Sequence, residues 1–284
     1  SKVLRSKLSE MVDFQRLLPI KRLTSADGET VKTLFQLPDG LTIESVLMHY
    51  EARETLCISS QAGCAMGCAF CATGQMGFKR NLSSGEIIEQ VLYYARELAS
   101  HNLKVTNIVV MGMGEPFLNY DAVMKAINRL NDPEAMNLGA RRFTISTVGI
   151  VPMIEKFASE KSQINLAVSL HAANDELRDS LIPANRKYPL DDIITACRTY
   201  VESTGRRITF EWALIQGIND RPEDARQLVQ RVKGLNCHVN IIPLNPTGQF
   251  NGKPTTNERA QEFKRILETG GVNCTIRLRR GIDI

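Results

Sequence analysis

The sequence has no long apolar run, no secretory leader pattern and little net charge. No stretch approaches the roughly 18 apolar residues of a membrane-spanning helix, and Lys2, Arg5, Lys7, Glu10 and Asp13 interrupt the first twenty residues, unlike the apolar core of a signal peptide. Thirty-five Lys and Arg against 31 Asp and Glu leave a formal charge of +4, which permits a polyanionic partner without indicating one. These absences favour a cytoplasmic protein with no membrane partner.

The cysteine content excludes a small disulfide scaffold. Seven cysteines are an odd number in a chain of 284 residues, and three of them fall within eight residues, which favours metal or redox chemistry over structural bridges. Cys197, Cys237 and Cys274 are isolated, and each is interpreted as a small buried hydrophobe.

The first fifty residues predict an extension. Apolar residues recur at helical spacing over residues 2–18, and residues 31–37 and 41–48 are typical of two strands joined by the turn at 38–40. We therefore expect a short helix followed by a β-hairpin, as an extension over residues 1–50, with one larger domain over residues 51–284.

Beyond about residue 54, short apolar runs alternate with amphipathic stretches. Fully apolar runs are typical of parallel strands buried on both faces, and about six βα units of this kind favour a partial or complete barrel, or a doubly wound sheet. The fold class is thus α/β. The predicted strands are 56–59, 108–111, 143–145, 166–168, 208–215, 239–244 and 272–278, and the predicted helices lie near 84–99, 121–131, 189–203, 222–233 and 257–269.

The strongest local signal is the C-x3-C-x2-C cluster of Cys64, Cys68 and Cys71, which follows the first of these strands. A structural zinc site takes four ligands, whereas a four-iron cluster held by three cysteines keeps one iron open for another ligand. Gly63 and Gly67 would let the backbone wrap around a bulky group, and Phe70 could shield it from solvent. A zinc knuckle completed by Cys57, or buried reduced cysteines, remain alternatives.

A glycine-rich turn ends the next apolar run, in the sequence Met-Gly-Met-Gly-Glu-Pro over residues 111–116. Its glycines allow a ligand to approach the backbone closely, and Glu115 offers an acceptor for an ammonium group. A dinucleotide-binding turn is the competing interpretation, but it needs glycine where Phe117 stands, and Pro116 interrupts the start of the helix.

These motifs resemble the radical S-adenosylmethionine (SAM) superfamily and, across roughly residues 30–284, the RlmN/Cfr family of radical SAM RNA methyltransferases. The resemblance implies a partial (βα)6 barrel of the TIM type that binds a [4Fe–4S] cluster through Cys64, Cys68 and Cys71, together with SAM. The motifs that carry it, besides the cysteine cluster and the glycine turn, are 56–64, 141–146, 169–171 and 245–246. The residues it implies for the SAM pocket follow strand ends, where barrel sites are built; they are Gly114, Glu115, Ser146, Ser169, Leu170, His171 and Asn245.

The resemblance also implies an unusual methyl transfer. One SAM methylates a cysteine near the C-terminus, and a 5′-deoxyadenosyl radical from a second SAM activates that methyl group for addition to an adenine carbon. Cys57 matches the resolving cysteine of the family and Glu44 its proton acceptor. Without the resemblance, Cys57 is typical of an inert thiol in a strand and Glu44 of a solvated edge carboxylate.

The ends of the sequence depart from the family pattern. Family members continue after a segment like residues 280–284 into an Ala-Ala-Cys segment with the methyl-carrying cysteine, and they begin with a longer helical RNA-binding region. We therefore expect the 284-residue chain to bind a cluster and SAM without methylating RNA, and residues 1–50 to include a remnant of that region.

RNA is the partner that the resemblance implies: 23S rRNA and tRNA, with an electron donor such as flavodoxin, for a monomeric enzyme. Basic groups at 21–22, 79–80, 141–142, 206–207 and 277–280 could collect phosphates around the barrel mouth. Pro116 after Gly114 and Glu115 favours carbon-2 over the carbon-8 methylation of the Cfr branch. The alternatives are a radical SAM activase or epimerase with a non-RNA substrate, and a non-catalytic zinc-stabilised RNA-binding module.

Overall fold

A computed structural model describes Val3, Lys7, residues 17–277 and residues 279–284. Within them lie one ten-stranded and one two-stranded sheet. The strands are β1 (Leu18–Thr24), β2 (Thr30–Gln36), β3 (Thr42–Tyr50), β4 (Arg53–Cys57), β5 (Gln61–Gly63), β6 (Phe78–Asn81), β7 (Asn107–Val110), β8 (Phe143–Thr147), β9 (Asn165–Ser169), β10 (Ile208–Leu214), β11 (Cys237–Pro243) and β12 (Cys274–Ile276). The helices are α1 (Ala72–Gln75), α2 (Ser84–Ser100), α3 (Tyr120–Asn131), α4 (Val151–Ser159), α5 (Asp175–Leu181), α6 (Leu190–Thr204), α7 (Pro222–Arg231) and α8 (Asn257–Thr269).

The N-terminal part contains one strand more than the predicted hairpin. β1, β2 and β3 form an antiparallel meander, and β3 then pairs antiparallel with β4. Leu18 opens β1, so the predicted helix end at residue 18 is wrong, and nearly all of that helix falls outside the described residues. β1 escapes detection because it is an outer strand of the sheet with Leu18 and Ile20 largely exposed, which removes the alternation that marks a half-buried strand.

The larger part is a partial barrel. β4 and then β7 to β12 lie side by side in chain order, and every pair is parallel. In a doubly wound sheet the spatial order of the strands reverses at one point. Here the six crossovers all proceed in the same direction along the sheet, as they do in a barrel. In the described residues the outer strands β1 and β12 do not pair with each other. The expectation of six βα units in a partial barrel is confirmed.

Strand alternation separates the two faces of the barrel. Leu56, Ile108 and Phe210 are fully buried on the helix side, while their neighbours Cys57 and Val109 line the concave side. Burial of each large apolar side chain stabilises the fold by about 1.5–3 kcal/mol. The sequence pattern does not reveal α4 and α5, because helices of only 9 and 7 residues give too few repeats of the helical period.

The direction of the parallel strands distinguishes the two ends of the barrel. We call the carboxyl ends of the parallel strands the barrel mouth and their amino ends the barrel floor. The last described residues turn back to the floor, where Arg280 donates to Glu29 at 2.6 Å and Asp283 accepts from the backbone of Ala26 at 2.7 Å. Within the described residues, none of the helices combines the length and apolar character needed to cross a membrane.

Candidate active site

The cysteine loop leaves the mouth end of β4 and is held tightly against its own return strand. Gly63 has φ +76°, and a Cβ atom there would lie 1.9 Å from the carbonyl oxygen of Gly77. The amide of the next residue, Cys64, donates to that same oxygen at 3.0 Å. Only glycine permits this approach, so the start of the loop is fixed by Gly63.

Burial keeps the Cys64 and Cys68 thiols protonated when no metal is bound. It raises the pKa of Cys64 to about 11 and that of Cys68 to about 12, and in Cys68 the neighbouring Cys71 and Cys64 add to the rise. Metal ligation requires the thiolate, so a metal would have to displace these protons. In the described part of the chain no three His, Cys, Asp or Glu residues converge on a single ion.

This donor set fits an iron–sulfur cube better than one zinc ion. In a cube each cysteine binds a different iron, so the three sulfurs need not meet at a point. Cys57 lies on β4 and does not complete a four-ligand site with the loop. All seven cysteines are free thiols, and Cys197 and Cys237 are buried as expected.

The glycine turn after β7 is hydrogen-bonded to, and packs closely against, the segment after β4. Ser60 donates to the carbonyl oxygen of Met113 at 2.8 Å, and the Ser59 hydroxyl accepts from the Met113 amide at 2.9 Å. At Gly114, which has φ +107°, a Cβ would lie 2.6 Å from that of Gln61. The glycine therefore lets Gln61, in the segment that leads into the cysteine loop, pack directly against the turn.

Glu115 closes this turn with a buried carboxylate that holds two loops together. Its Oε1 accepts from the Phe117 amide at 3.0 Å and its Oε2 from the Val148 amide at 2.8 Å. Burial raises the pKa of Glu115 to about 7, although these amide hydrogen bonds oppose the rise. The carboxylate thus links the turn after β7 to the loop after β8.

His171 sits after β9 in a left-handed conformation, φ +58°. Its Nδ1 accepts from the Ala213 amide at 2.8 Å, and its carbonyl oxygen accepts from Asn219 at 2.8 Å. Burial lowers the pKa of His171 to about 3, so the ring is neutral and carries its proton on Nε2. The Phe70 ring of the cysteine loop packs edge-on against it, with centroids 4.8 Å apart.

Arg178, on α5, is a fully buried cation that sequence reasoning missed. Its guanidinium donates to the carbonyl oxygens of Val148, Ser169 and Leu170 at 2.6, 3.0 and 3.0 Å, and to Asn185 at 2.8 Å. Its burial lowers its pKa to about 10, and it interacts electrostatically with Cys68. A charged residue on a short polar helix gives no signal of burial in the sequence, so no motif could have identified it.

The remaining predicted pocket residues lie on the mouth side of neighbouring strands. Ser146 is next to Ala167 across β8 and β9, and Ser169 is next to Glu211 across β9 and β10. Asn245 follows β11 and lines a cavity of about 850 Å³ that also contains Cys57 and Met111. The predicted pocket residues therefore gather at one end of the barrel.

Glu44 and Cys57 share the concave face of the sheet. Cys57 pairs with Val46, so Glu44 lies two residues nearer the mouth on the adjacent strand. Glu44 and Cys57 are therefore diagonal neighbours of an antiparallel pair, for which the separation is about 7–8 Å. Glu44 is exposed, and burial raises the pKa of Cys57 to about 12. The exposed Glu44 carboxylate and the protonated Cys57 thiol thus lie on neighbouring strands near the barrel mouth.

Comparison with known proteins identifies the class. Residues 58–229 match the model of the radical SAM superfamily. A probable dual-specificity RNA methyltransferase RlmN of Thermoanaerobacter sp. (strain X514) is 48% identical over 284 residues, which are 100% of this chain and 82% of that protein. A ribosomal RNA large subunit methyltransferase N of Nitrosopumilus maritimus is 49% identical over 273 residues, covering 93% of this chain and 77% of that protein.

Comparison with solved structures supports the same class. A radical SAM methyltransferase from Sphaerobacter thermophilus superposes with a TM-score of 0.96 at 50% identity, covering 100% of this chain and 83% of that one. SuiB of Streptococcus suis bound to S-adenosylmethionine, at 14% identity and a TM-score of 0.54, covers 78% of this chain and 47% of that one and shares only the fold. The fold and cysteine loop are those of a radical SAM protein. Within that superfamily, the chain belongs to the RlmN family.

Proposed function

We propose that this protein is a radical SAM methyltransferase that methylates carbon-2 of an adenine in 23S rRNA and in tRNA. The observation that carries the proposal is the placement of Glu44 and Cys57 on one face at the barrel mouth, in a chain whose relatives are named RNA methyltransferases over its whole length. This pair argues against the alternative of a radical SAM enzyme with a non-RNA substrate.

Cys64, Cys68 and Cys71 would hold one [4Fe–4S] cluster and leave its fourth iron open. When bound, this cluster supplies the electron that cleaves SAM and starts radical chemistry. The chain's own contribution is positional, because Gly63 fixes the start of the loop and Phe70 anchors it to His171. The loop also donates from the Ala69 amide to the carbonyl oxygen of Leu181 at 2.9 Å.

The SAM pocket would lie between the cysteine loop and the strand ends. Gly114 would contribute by letting the turn pack directly on Gln61 beside the cysteine loop, and Glu115 would fix the turn through its bonds to the Phe117 and Val148 amides. Ser146 and Ser169 offer hydroxyl groups and Asn245 an amide, while neutral His171 keeps an Nε2 proton as a donor. Leu170 is fully buried, its amide donates to the Glu211 carbonyl oxygen and its own carbonyl oxygen accepts from Arg178, so it would support the pocket wall.

Cys57 and Glu44 would act on the RNA base. The adenine carbon has no lone pair, so a methyl-carrying cysteine delivers the carbon and remains joined to the base. Once the adduct radical has given up one electron to the oxidised electron carrier, Glu44 would take the ring proton. Cys57, as the thiolate, would then attack the sulfur of that cysteine, so that a disulfide forms while the sulfur–carbon bond breaks, and the released carbon would take up a proton to become the methyl group of the product. Because burial raises its pKa to about 12, Cys57 stays a neutral thiol until this step.

The remaining inferences concern partners and organisation. We propose a flavodoxin-like electron donor, a monomeric state and a cytoplasmic location, together with a boundary near residue 50 between an RNA-binding extension and the barrel. That boundary falls in the turn between β3 and β4.

Formation of 5′-deoxyadenosine tests the radical chemistry. After anaerobic reconstitution with iron and sulfide, the chain should cleave SAM when reductant is added, and Cys68→Ala should not. Cys274→Ala is the matched control, because Cys274 is half-buried on β12 away from the loop. Equal cleavage by Cys68→Ala would contradict the ligand assignment.

Nucleoside mass spectrometry tests the carbon position. RNA treated with enzyme that carries the Ala-Ala-Cys segment of its family should contain 2-methyladenosine, and Glu44→Gln should abolish it. 8-Methyladenosine would instead establish the Cfr-type reaction, and zinc in the cysteine loop without SAM affinity would establish the RNA-binding module.

A further inference from the structure

Two of the basic groups of the sequence, 206–207 and 277–280, reach the barrel floor. Arg206 and Arg207 directly precede β10, and Arg277 follows β12 in a segment that turns back to His49. The expectation that these groups surround the barrel mouth is therefore wrong for Arg206 and Arg207, because residues that precede a parallel strand lie at its floor end. It is also wrong for Arg280, which donates to Glu29 and to the His49 carbonyl oxygen at the floor. None of these arginines is among the residues proposed to bind the cluster, SAM or the RNA base.

Arg206 and Arg207 line the lower part of the 850 Å³ cavity whose upper part contains Cys57, and Arg277 lines the same cavity from the side of β12. Glu211 is the single carboxylate in the described lining. It accepts from Asn240 at 2.8 Å, and burial raises its pKa. The described lining has six arginines: Arg53, Arg206, Arg207, Arg277, Arg279 and Arg280.

Most of this positive charge has no counter-ion inside the protein. Among the described residues, Arg280 pairs with Glu29, but no ion pair forms at Arg206, Arg207, Arg277 or Arg279. The Nε atoms of Arg206 and Arg279 are buried without a hydrogen-bond partner. Arg206 and Arg279 are half-buried and Arg207 and Arg277 are exposed, so these guanidinium groups keep hydrogen-bonding capacity and charge for an anion that enters from outside.

The guanidinium planes are partly preorganised. Arg53 and Arg280 lie 4.3 and 4.2 Å from the centre of the Tyr50 ring, and Arg206 donates to Gln163 at 3.2 Å and to Asn165. Fixed guanidinium forks match the oxygens of a phosphate group, and the cavity has the volume of an ordinary ligand pocket.

We propose that the barrel floor binds a phosphate group, held by Arg206, Arg207, Arg277 and Arg279. The shared chemistry is a phosphate with free oxygens, supplied either by an RNA backbone or by a small phosphate compound. The site lies in the same cavity as Cys57, at its floor end, and the described lining includes none of the three proposed cluster ligands.

Thermal unfolding with inorganic phosphate tests the site on the cluster-free chain. At constant ionic strength, phosphate should raise the Tm of the wild type, and titration calorimetry should show at least about tenfold weaker binding by Arg206→Gln/Arg279→Gln. The control is Arg226→Gln/Arg265→Gln, which removes two arginines from the outer groove between α7 and α8 and should bind like the wild type. Circular dichroism without phosphate confirms that each variant is folded.

Competition identifies the source of the phosphate. If a short RNA displaces inorganic phosphate from the wild type, the site takes the RNA backbone; if RNA binds without displacing it, the site takes a small phosphate compound. No effect of phosphate on the wild type, or an equal effect on both double variants, would overturn the proposal. Neither result bears on SAM cleavage, so the two proposals fail separately.

Discussion

Arg178 donates a 2.6 Å hydrogen bond from its Nη2 to the carbonyl oxygen of Val148, and so joins the loops after β8 and β9 through a buried charge. The Glu115 carboxylate binds the amide of the same Val148 residue. One peptide segment is thus held from both sides by ionisable groups that water does not reach. We infer that the rigidity of the barrel mouth depends on these two side chains.

Arg178→Met should lower the free energy of unfolding by at least about 3 kcal/mol, because three carbonyl oxygens lose their donor and each loss costs about 1–3 kcal/mol. Urea unfolding of the cluster-free chain measures this. Arg129→Met removes an exposed ion pair with Asp132 and should change stability by less than about 0.5 kcal/mol. Equal losses in the two variants would contradict the structural role of Arg178.

Gly63→Ala should prevent cluster assembly, since its Cβ would collide with the Gly77 carbonyl oxygen and its positive φ is unfavourable for alanine. After reconstitution, the variant should retain little of the iron bound by the wild type. Gly139→Ala is the control, because Gly139 has φ −55° and open space at its Cβ position. Normal iron content in Gly63→Ala would show that the loop can rearrange.

Much of this architecture could be predicted from sequence, because parallel strands buried on both faces are short apolar runs and the cysteine spacing is specific. The β1 strand could not, since its exposed Leu18 and Ile20 lack a periodic pattern. The burial of Arg178 and the cavity at the barrel floor could not be predicted either. Whether a charge is buried, and which strand ends meet, depends on packing between segments far apart in the chain.

Glu115 should make stability depend on pH. Burial raises its folded-state pKa to about 7 from a usual value near 4.5, so the stabilising contribution of the protonated form is complete below about pH 4.5 and is lost as pH rises through 7. The stability advantage of the wild type over Glu115→Gln should shrink by up to about 3 kcal/mol between pH 4 and pH 8. Urea unfolding across this range measures it, and a constant difference would exclude the raised pKa.

Cys57 should resist alkylation in the folded protein. The thiolate is the reactive form, and a pKa raised to about 12 by burial leaves roughly a thousandfold less thiolate at pH 8 than in an ordinary thiol. Mass spectrometry after iodoacetamide treatment should show Cys57 modified at least about 100-fold more slowly in the folded chain than in urea. Rapid modification of folded protein would mean that Cys57 is already poised as a thiolate, and the resolving step would then not require a change in its surroundings.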